Sequence, residues 1–329
     1  MPAEWELHEA TWLTWPKNRT TWPGKHLKTV EAVYLRMMRA LLDGEKVHLL
    51  VPDEKSGRAV LKRLEAKKAR TSNLVLHRVR TADAWIRDYG PIFVKRGRDT
   101  AFTKWTFNAW GGKYRDLARD NAVVGRISYL KNFKRADEPM VLEGGSIDVD
   151  GRGTLLTTEQ CLLNKNRNPH LTRKDIEGRL KKYLGVRKVL WLKEGIEGDD
   201  TDGHVDDITR FVAPGTVLTA VEPDRREKNH WSLEENLEIL KQTTDAAGKR
   251  LKVVEFPMPG KIGRLPASYA NFYIGNAAVL LPVYSHRNDR PAVKILKKLF
   301  PRRKIVPIEC TSLIFGLGSI HCVTQQQPA

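Results

Sequence analysis

The sequence predicts an α/β protein in which one structural unit recurs around a closed ring. Three observations predict it. Helix-period stretches alternate with short β-rich runs along all 329 residues. Four strand pairs turn on a glycine at intervals of about sixty residues, a period typical of propellers and closed arrays. The two ends of the chain supply the strands of a fifth pair, so they must meet if the fifth unit is to form.

The elements follow in order. "ATWLTWP" near the start reads as a strand, followed by helical periodicity over 27–42 and a β-rich run at 47–51. A helix at 57–69 and a strand at 74–79 are an addition to that unit. "PIFVKRGRDTAFTKW" is the first strand pair, turning at Gly97 and leading to a helix over 114–130. "SIDVDGRGTLLTT" turns at Gly151 and precedes a helix at 172–184 and a strand at 189–192. "DITRFVAPGTVLTAV" turns at Gly215, before a helix at 231–247 and a strand at 251–256. "NFYIGNAAVLLPVY" turns at Gly275, before a helix at 289–300 and a strand at 304–308. "SIHCVTQ" at the far end pairs with "ATWLTWP" to complete the fifth unit. Thr172 with Asp175 and Ser232 with Glu235 have the spacing of capping boxes. A doubly wound sheet is the alternative architecture; the antiparallel look of the strand pairs favours the ring. The repetition points to one domain spanning 1–329.

Composition narrows the function class. The net charge is +18, from 57 Lys and Arg against 39 Asp and Glu. Much of it sits in helical stretches at 62–70, 179–188 and 294–304, where solvated outer faces account for it. No zinc-finger, RNA-recognition or basic-zipper pattern accompanies these runs, so nucleic acid is expected to bind at most nonspecifically. No run approaches the roughly 20 apolar residues of a membrane span, and "MPAEWELHEA" lacks the start of a secretory signal. Three cysteines do not make a disulfide framework. A cytoplasmic protein with reduced thiols and no membrane partner is expected; assembly into a homo-oligomer stays open.

Reactive residue types fall at the entrances to the strand pairs. Asp88 lies in "WIRDYGP", Glu143 in "LEGGSID", His204 and Asp206 in "GDDTDGHVDD", Asn271 in "ASYANF" and Cys322 in "GLGSIHC". In a ring, equivalent positions converge near the axis, so five distant segments would furnish one cleft. Each residue alone has a structural alternative: packing for Cys322, a turn carboxylate for Glu143, an ion pair with Arg87 for Asp88. Cys161 and Cys310 have no comparable surroundings and read as core or surface residues. The segment 195–207 holds six carboxylates and no Lys or Arg, a local reversal of sign. It does not fit a calcium loop: aligning Gly203 with that loop's glycine puts Thr209 where the bidentate glutamate belongs. A metal site using His204, Asp206 and His321 lacks paired-histidine spacing, so no metal is expected.

Together "MPAEWELHEATWLTWP", "WIRDYGP", "FNAWGGKY", "LEGGSID", "GDDTDGHVDD", "LPASYANFYI" and "GLGSIHCVTQQQP" resemble the agmatine deiminase and Porphyromonas-type peptidylarginine deiminase family, within the guanidino-group modifying superfamily. The resemblance spans essentially the whole chain. It implies a closed fivefold pseudosymmetric α/β propeller of ββαβ-type units. It also implies Cys322 as nucleophile, His204 as general acid and base, Glu143 as partner of the histidine, and Asp88 and Asp206 as guanidinium clamps. One departure stands out. The usual Gly-Gly-Gly-Asn-Ile-His-Cys has Leu317 in place of a glycine and Ser319 in place of the asparagine.

The implied chemistry is hydrolysis of a guanidine through a covalent thiouronium on Cys322, with no cofactor. Agmatine is the favoured small-molecule substrate, giving N-carbamoylputrescine and ammonia. Trp85 and Trp110, with Trp15 and Trp22, are candidates to line its channel, and Asn271 to touch substrate. Peptidylarginine or free arginine as substrate, amidine transfer to an amine, and a noncatalytic basic binding protein are the competing readings.

Overall fold

The computed structural model describes residues 1–131 and 133–329, and no helix among them is long and apolar enough to cross a membrane. The fold is mixed α/β, with five small sheets. Four have three strands, and in each the first two are antiparallel while the third, reached through a helix, is parallel to the second.

The fifth sheet has four strands and joins the two ends of the chain. Thr324–Pro328 runs antiparallel to His8–Thr14, which is parallel to Lys46–Val51, itself parallel to Leu74–Arg78. The two chain ends pair as expected, but the last strand begins at Thr324, so residues 319–323 of "SIHCVTQ" lie ahead of it in the preceding loop; the added strand lies at the sheet's edge. Both end strands are almost wholly buried, and the Trp12 indole donates to Gln327 Oε1 at 2.9 Å.

Helices form where apolar residues recur at three- and four-residue spacing and bury one face against a sheet. His26–Leu41 buries Val30, Val33, Tyr34, Met37, Met38 and Leu41. Arg173–Leu184 buries Ile176, Leu180 and Leu184. Its capping box is complete, with Thr172 and Asp175 exchanging side-chain-to-backbone bonds, and Gly185 ends it at φ 68°. The basic runs occupy the outer faces: Lys62, Lys67, Lys181 and Lys182 are exposed.

Several expectations need correction. Ser232 caps nothing: the helix starts at Asn229, and the Ser232 hydroxyl bonds back to the Gly195 and Asn229 carbonyls. That helix ends at Gln242 rather than 247. The 114–130 stretch is a 3₁₀ segment, Arg115–Ala122, followed by the α-helix Val123–Lys131. Gly97, Gly151 and Gly215 have left-handed φ, whereas Gly275 does not; a Cβ there would meet Leu41 Cδ2 at 2.7 Å. The strand Lys134–Val141 is an addition, since its exposed polar residues carry no β-alternation.

Candidate active site

The strand-pair entrances do converge. The best gauge is Gly145, whose backbone backs onto three of the expected residues. A Cβ there would lie 2.6 Å from His204 Nδ1, 2.9 Å from Asp88 Oδ1 and 3.0 Å from Asp206 Oδ2. Only a residue without a side chain leaves that space. Gly144 is as constrained, since its Cβ would lie 2.2 Å from the Arg87 carbonyl.

Cys322 and Asp88 face a cleft of about 740 Å³, walled by Trp85, Trp110, Tyr114 and Leu317. His204, Glu143, Asp206 and Asn271 are fully buried, and do not line the cleft. Of the four candidate tryptophans, Trp85 and Trp110 reach the cleft. Trp15 and Trp22 join the core, Trp22 donating to the Leu313 carbonyl at 3.0 Å.

Cys322 ends the loop before the last strand. Its sulfur lies within 4.8 Å of carboxylate oxygens of Asp206 and Asp207. Burial pushes the thiol well above its ordinary range, and Asp206, Asp207 and Asp88 push it further by disfavouring the thiolate. Asn271 stands against the cysteine. Its amide nitrogen is 3.1 Å from Sγ and 2.9 Å from Asp207 Oδ1, and its oxygen accepts from the His321 and Cys322 amides. Asp207, which sequence reasoning passed over as one more acid in an acidic run, is pushed well up by burial and by Asp206 and Asp199.

Asp88 Oδ2 accepts from the Trp110 indole at 2.9 Å, and Oδ1 from the Gly145 amide at 3.1 Å. Burial raises this carboxyl to about 6, helped by Asp206 and Glu143 and opposed by His204 and Trp110. Trp110 reaches it from a strained backbone, with φ and ψ both at 54°.

His204 Nδ1 lies 3.7 Å from Asp88 Oδ1. Among the described residues neither ring nitrogen has a hydrogen-bond partner, though Cys161 Sγ and Glu143 lie within 4.8 Å. Burial disfavours the imidazolium, but Asp88, then Cys161 and Glu143, more than offset this and hold the group well above its ordinary value. Cys161, left by the sequence as a core or surface residue, is thus buried in the immediate surroundings of His204. Glu143 Oε1 accepts from Arg167 Nε at 2.7 Å, and Oε2 is buried without a partner among the described residues. Arg167 is further tied to Asp202 at 2.7 Å, so the histidine's carboxylate neighbour is itself fixed by a buried cation.

Asp206 Oδ2 is 2.6 Å from His321 Nδ1, while Oδ1 has no partner among the described residues. The hydrogen bond from His321 pulls this carboxyl below its ordinary range despite burial. Glu143, Cys161 and His204 form one trio of donor atoms close enough to surround a cation; Asp206, Asp207 and Cys322 form another. Both trios consist of residues already gathered here.

The arrangement offers a buried thiol beside Asp206 and Asp207, the Asp88 carboxylate in the cleft, and an imidazole whose nitrogens have no hydrogen-bond partner among the described residues.

The family described as Porphyromonas-type peptidyl-arginine deiminase matches residues 1–328. The agmatine deiminase of Ectopseudomonas mendocina is 38% identical, over 100% of this chain and 95% of its own. A structure of Enterococcus faecalis agmatine deiminase superposes with a TM-score of 0.92 at 34% identity, covering 100% and 95% of the two chains. The C. jejuni agmatine deiminase with substrate bound superposes with a TM-score of 0.89 at 31% identity, covering 100% and 96%.

Proposed function

The chain belongs to the Porphyromonas-type peptidyl-arginine deiminase family, and from that premise we propose that it hydrolyses agmatine to N-carbamoylputrescine and ammonia. The observation that carries the reading is the convergence of His204, Asp88 and Asp206 on Gly145, with Cys322 beside Asp206.

The guanidinium of the substrate enters the cleft and lies against Asp88 and the free oxygen of Asp206. Two carboxylates fix its plane and offset the cost of burying the cation. Its positive charge counters the acids that disfavour the thiolate, so Cys322 ionises as substrate binds and its proton passes to solvent. The thiolate forms a C–S bond to the guanidinium carbon, giving a neutral tetrahedral adduct. His204, held protonated by Asp88, gives its proton to one nitrogen, the C–N bond breaks and ammonia leaves. The S-linked thiouronium remains, and His204 is now neutral. Water then gives His204 a proton and its oxygen to the carbon. The C–S bond breaks with its electron pair returning to sulfur, and the ureido product forms as its extra proton passes to that sulfur, restoring the resting thiol.

Trp85 and Trp110 flank the substrate's tetramethylene chain, and Asp200 on the cleft wall is the carboxylate we assign to the distal ammonium. Support for this is the hydrogen bond from Tyr114 that fixes Asp200 on the wall, which Asp116 also lines. We also infer that the five sheets close around one axis. The pairing of the first and last strands and the meeting of five strand-pair entrances support this closure.

The test is product analysis on agmatine, free arginine and an arginine peptide. Cys322→Ala is expected to abolish ureido product while leaving the thermal midpoint near that of the parent. Cys161→Ala is expected to retain measurable turnover. Retained turnover by Cys322→Ala overturns the assignment.

A further inference from the structure

The N-terminal segment reaches the site through a buried chain of charges that the reaction described above does not use. Glu4 is 3% exposed. Its Oε2 lies 2.8 Å from His321 Nε2 and accepts from Arg87 Nη2 at 3.3 Å. Its Oε1 accepts from the Ile274 amide at 2.9 Å and lies 2.9 Å from Arg210 Nη2. Arg210 continues to Asp148 through a 2.9 Å bond from Nε. His321 Nδ1 completes the path at 2.6 Å from Asp206 Oδ2.

Each ring nitrogen of His321 therefore faces a carboxylate oxygen. Arg210 and the His321 contact hold Glu4 well below its ordinary range despite burial, and Asp206 is lowered too. Carboxylates in that ionised state only accept, so two such contacts call for two ring donors. The cluster then holds three anions, Glu4, Asp148 and Asp206, and three cations, Arg87, Arg210 and His321, all buried. Such a balanced set tolerates burial, whereas removing one member strands its partner. Asp206 is the member at the substrate end: one oxygen is engaged by His321, and the other has no partner among the described residues.

We propose that His321, held as an imidazolium by Glu4, is a positioning residue that locks Asp206 so that its second oxygen receives the substrate guanidinium. This rests on the deiminase reading and adds residues to it. Glu4 anchors the ring. The His321 backbone is fixed as well, since its amide donates to Asn271 Oδ1 at 2.9 Å and its carbonyl accepts from Arg87 Nε at 3.3 Å. Without the imidazolium, Asp206 would be free to turn its carboxylate away from the substrate, and binding would lose a directed contact rather than the whole site.

The test is agmatine binding by calorimetry to Cys322→Ala protein, which cannot turn substrate over. Added His321→Asn is expected to weaken binding about tenfold, and Glu4→Gln, one contact further out, about threefold. When Asp206→Asn is already present, both effects are expected to fall below about twofold, because the residue through which they act is gone. Equal losses with and without Asp206→Asn, or no loss at all, overturn the proposal. Proton NMR of ¹⁵N-histidine protein supplies a second readout that needs neither binding nor the variants. Two His321 ring N–H resonances support the imidazolium, and a single one overturns it. If the Cys322→Ala protein is folded and binds no guanidine of any kind, the deiminase reading fails, a result distinct from a bound guanidine indifferent to His321.

Discussion

The Asn271 amide nitrogen lies 3.1 Å from the Cys322 sulfur, and the Asn271 oxygen accepts from the Cys322 backbone amide at 3.4 Å. One side chain thus holds both the nucleophile's atom and its main chain. Asn271→Ala is expected to lower kcat at least about 100-fold, because loss of this double contact lets the sulfur wander by the ångström or so that costs that much. KM for agmatine should change less than tenfold. Steady-state kinetics, with the thermal midpoint as a fold control, checks this.

Cys322 is held as a thiol by burial and by Asp206, Asp207 and Asp88, so it should be a poor nucleophile until a cation arrives. Chloroacetamidine is planar and cationic; chloroacetamide is neutral and otherwise alike. The cationic reagent is expected to inactivate the enzyme at least about 100-fold faster at pH 7, beyond any difference seen with a free thiol, each tenfold corresponding to one unit of thiol pKa. Asp88→Asn should erase most of that preference. Equal inactivation rates would show that the thiolate is present before substrate.

Asp88 is raised to about 6, and in the reaction proposed above the form that would clamp guanidinium is the ionised one. Activity should therefore be present above about pH 6 and fall as pH drops through that value. Trp110 donates to this carboxylate and opposes the upward shift. Trp110→Phe removes the donor, so the folded group's pKa should rise further and the acidic limb of kcat/KM move to higher pH by up to about one unit. A limb that stays put, or moves down, counts against Asp88 as the group responsible.

Leu317 stands where the family pattern has glycine, yet keeps the left-handed backbone, with φ at 69°. That conformation costs a side-chain-bearing residue about 1–2 kcal/mol, and glycine's greater unfolded-state freedom returns roughly 0.5–1 of it. Leu317→Gly is expected to leave stability unchanged or raise it by up to about 1.5 kcal/mol, measured by denaturant unfolding. Because Leu317 also walls the cleft, the same change should raise KM for agmatine several-fold while kcat stays within about threefold.

Much of this was legible in the sequence for identifiable reasons. Strand pairs such as 92–106 and 209–221 announce themselves because apolar alternation breaks at a turn glycine whose φ must be positive. The pairing of the first and last strands followed from counting units. What escaped was set by tertiary contact. The strand Lys134–Val141 is recruited by pairing with Asp99–Thr106, and its own residues, KRADEPMV, alternate nothing. Ser232 had cap spacing but sits inside a helix that starts three residues earlier. Arg167 and Glu4 are charged residues in ordinary-looking loops; only the fold shows them fully buried against Glu143 and His321. Cys161 looked like filler because nothing near it in sequence is reactive, while its reactive neighbour His204 comes from a different unit.

The antiparallel contact between His8–Thr14 and Thr324–Pro328 has a kinetic consequence. These partners are separated by nearly the entire polypeptide, so zipping them is among the most costly loop closures available to the molecule and should come late in refolding. Cys322 sits two residues ahead of that zipper. Recovery of ammonia release after dilution from denaturant therefore clocks the final stitch, and it should lag behind the return of helical circular dichroism.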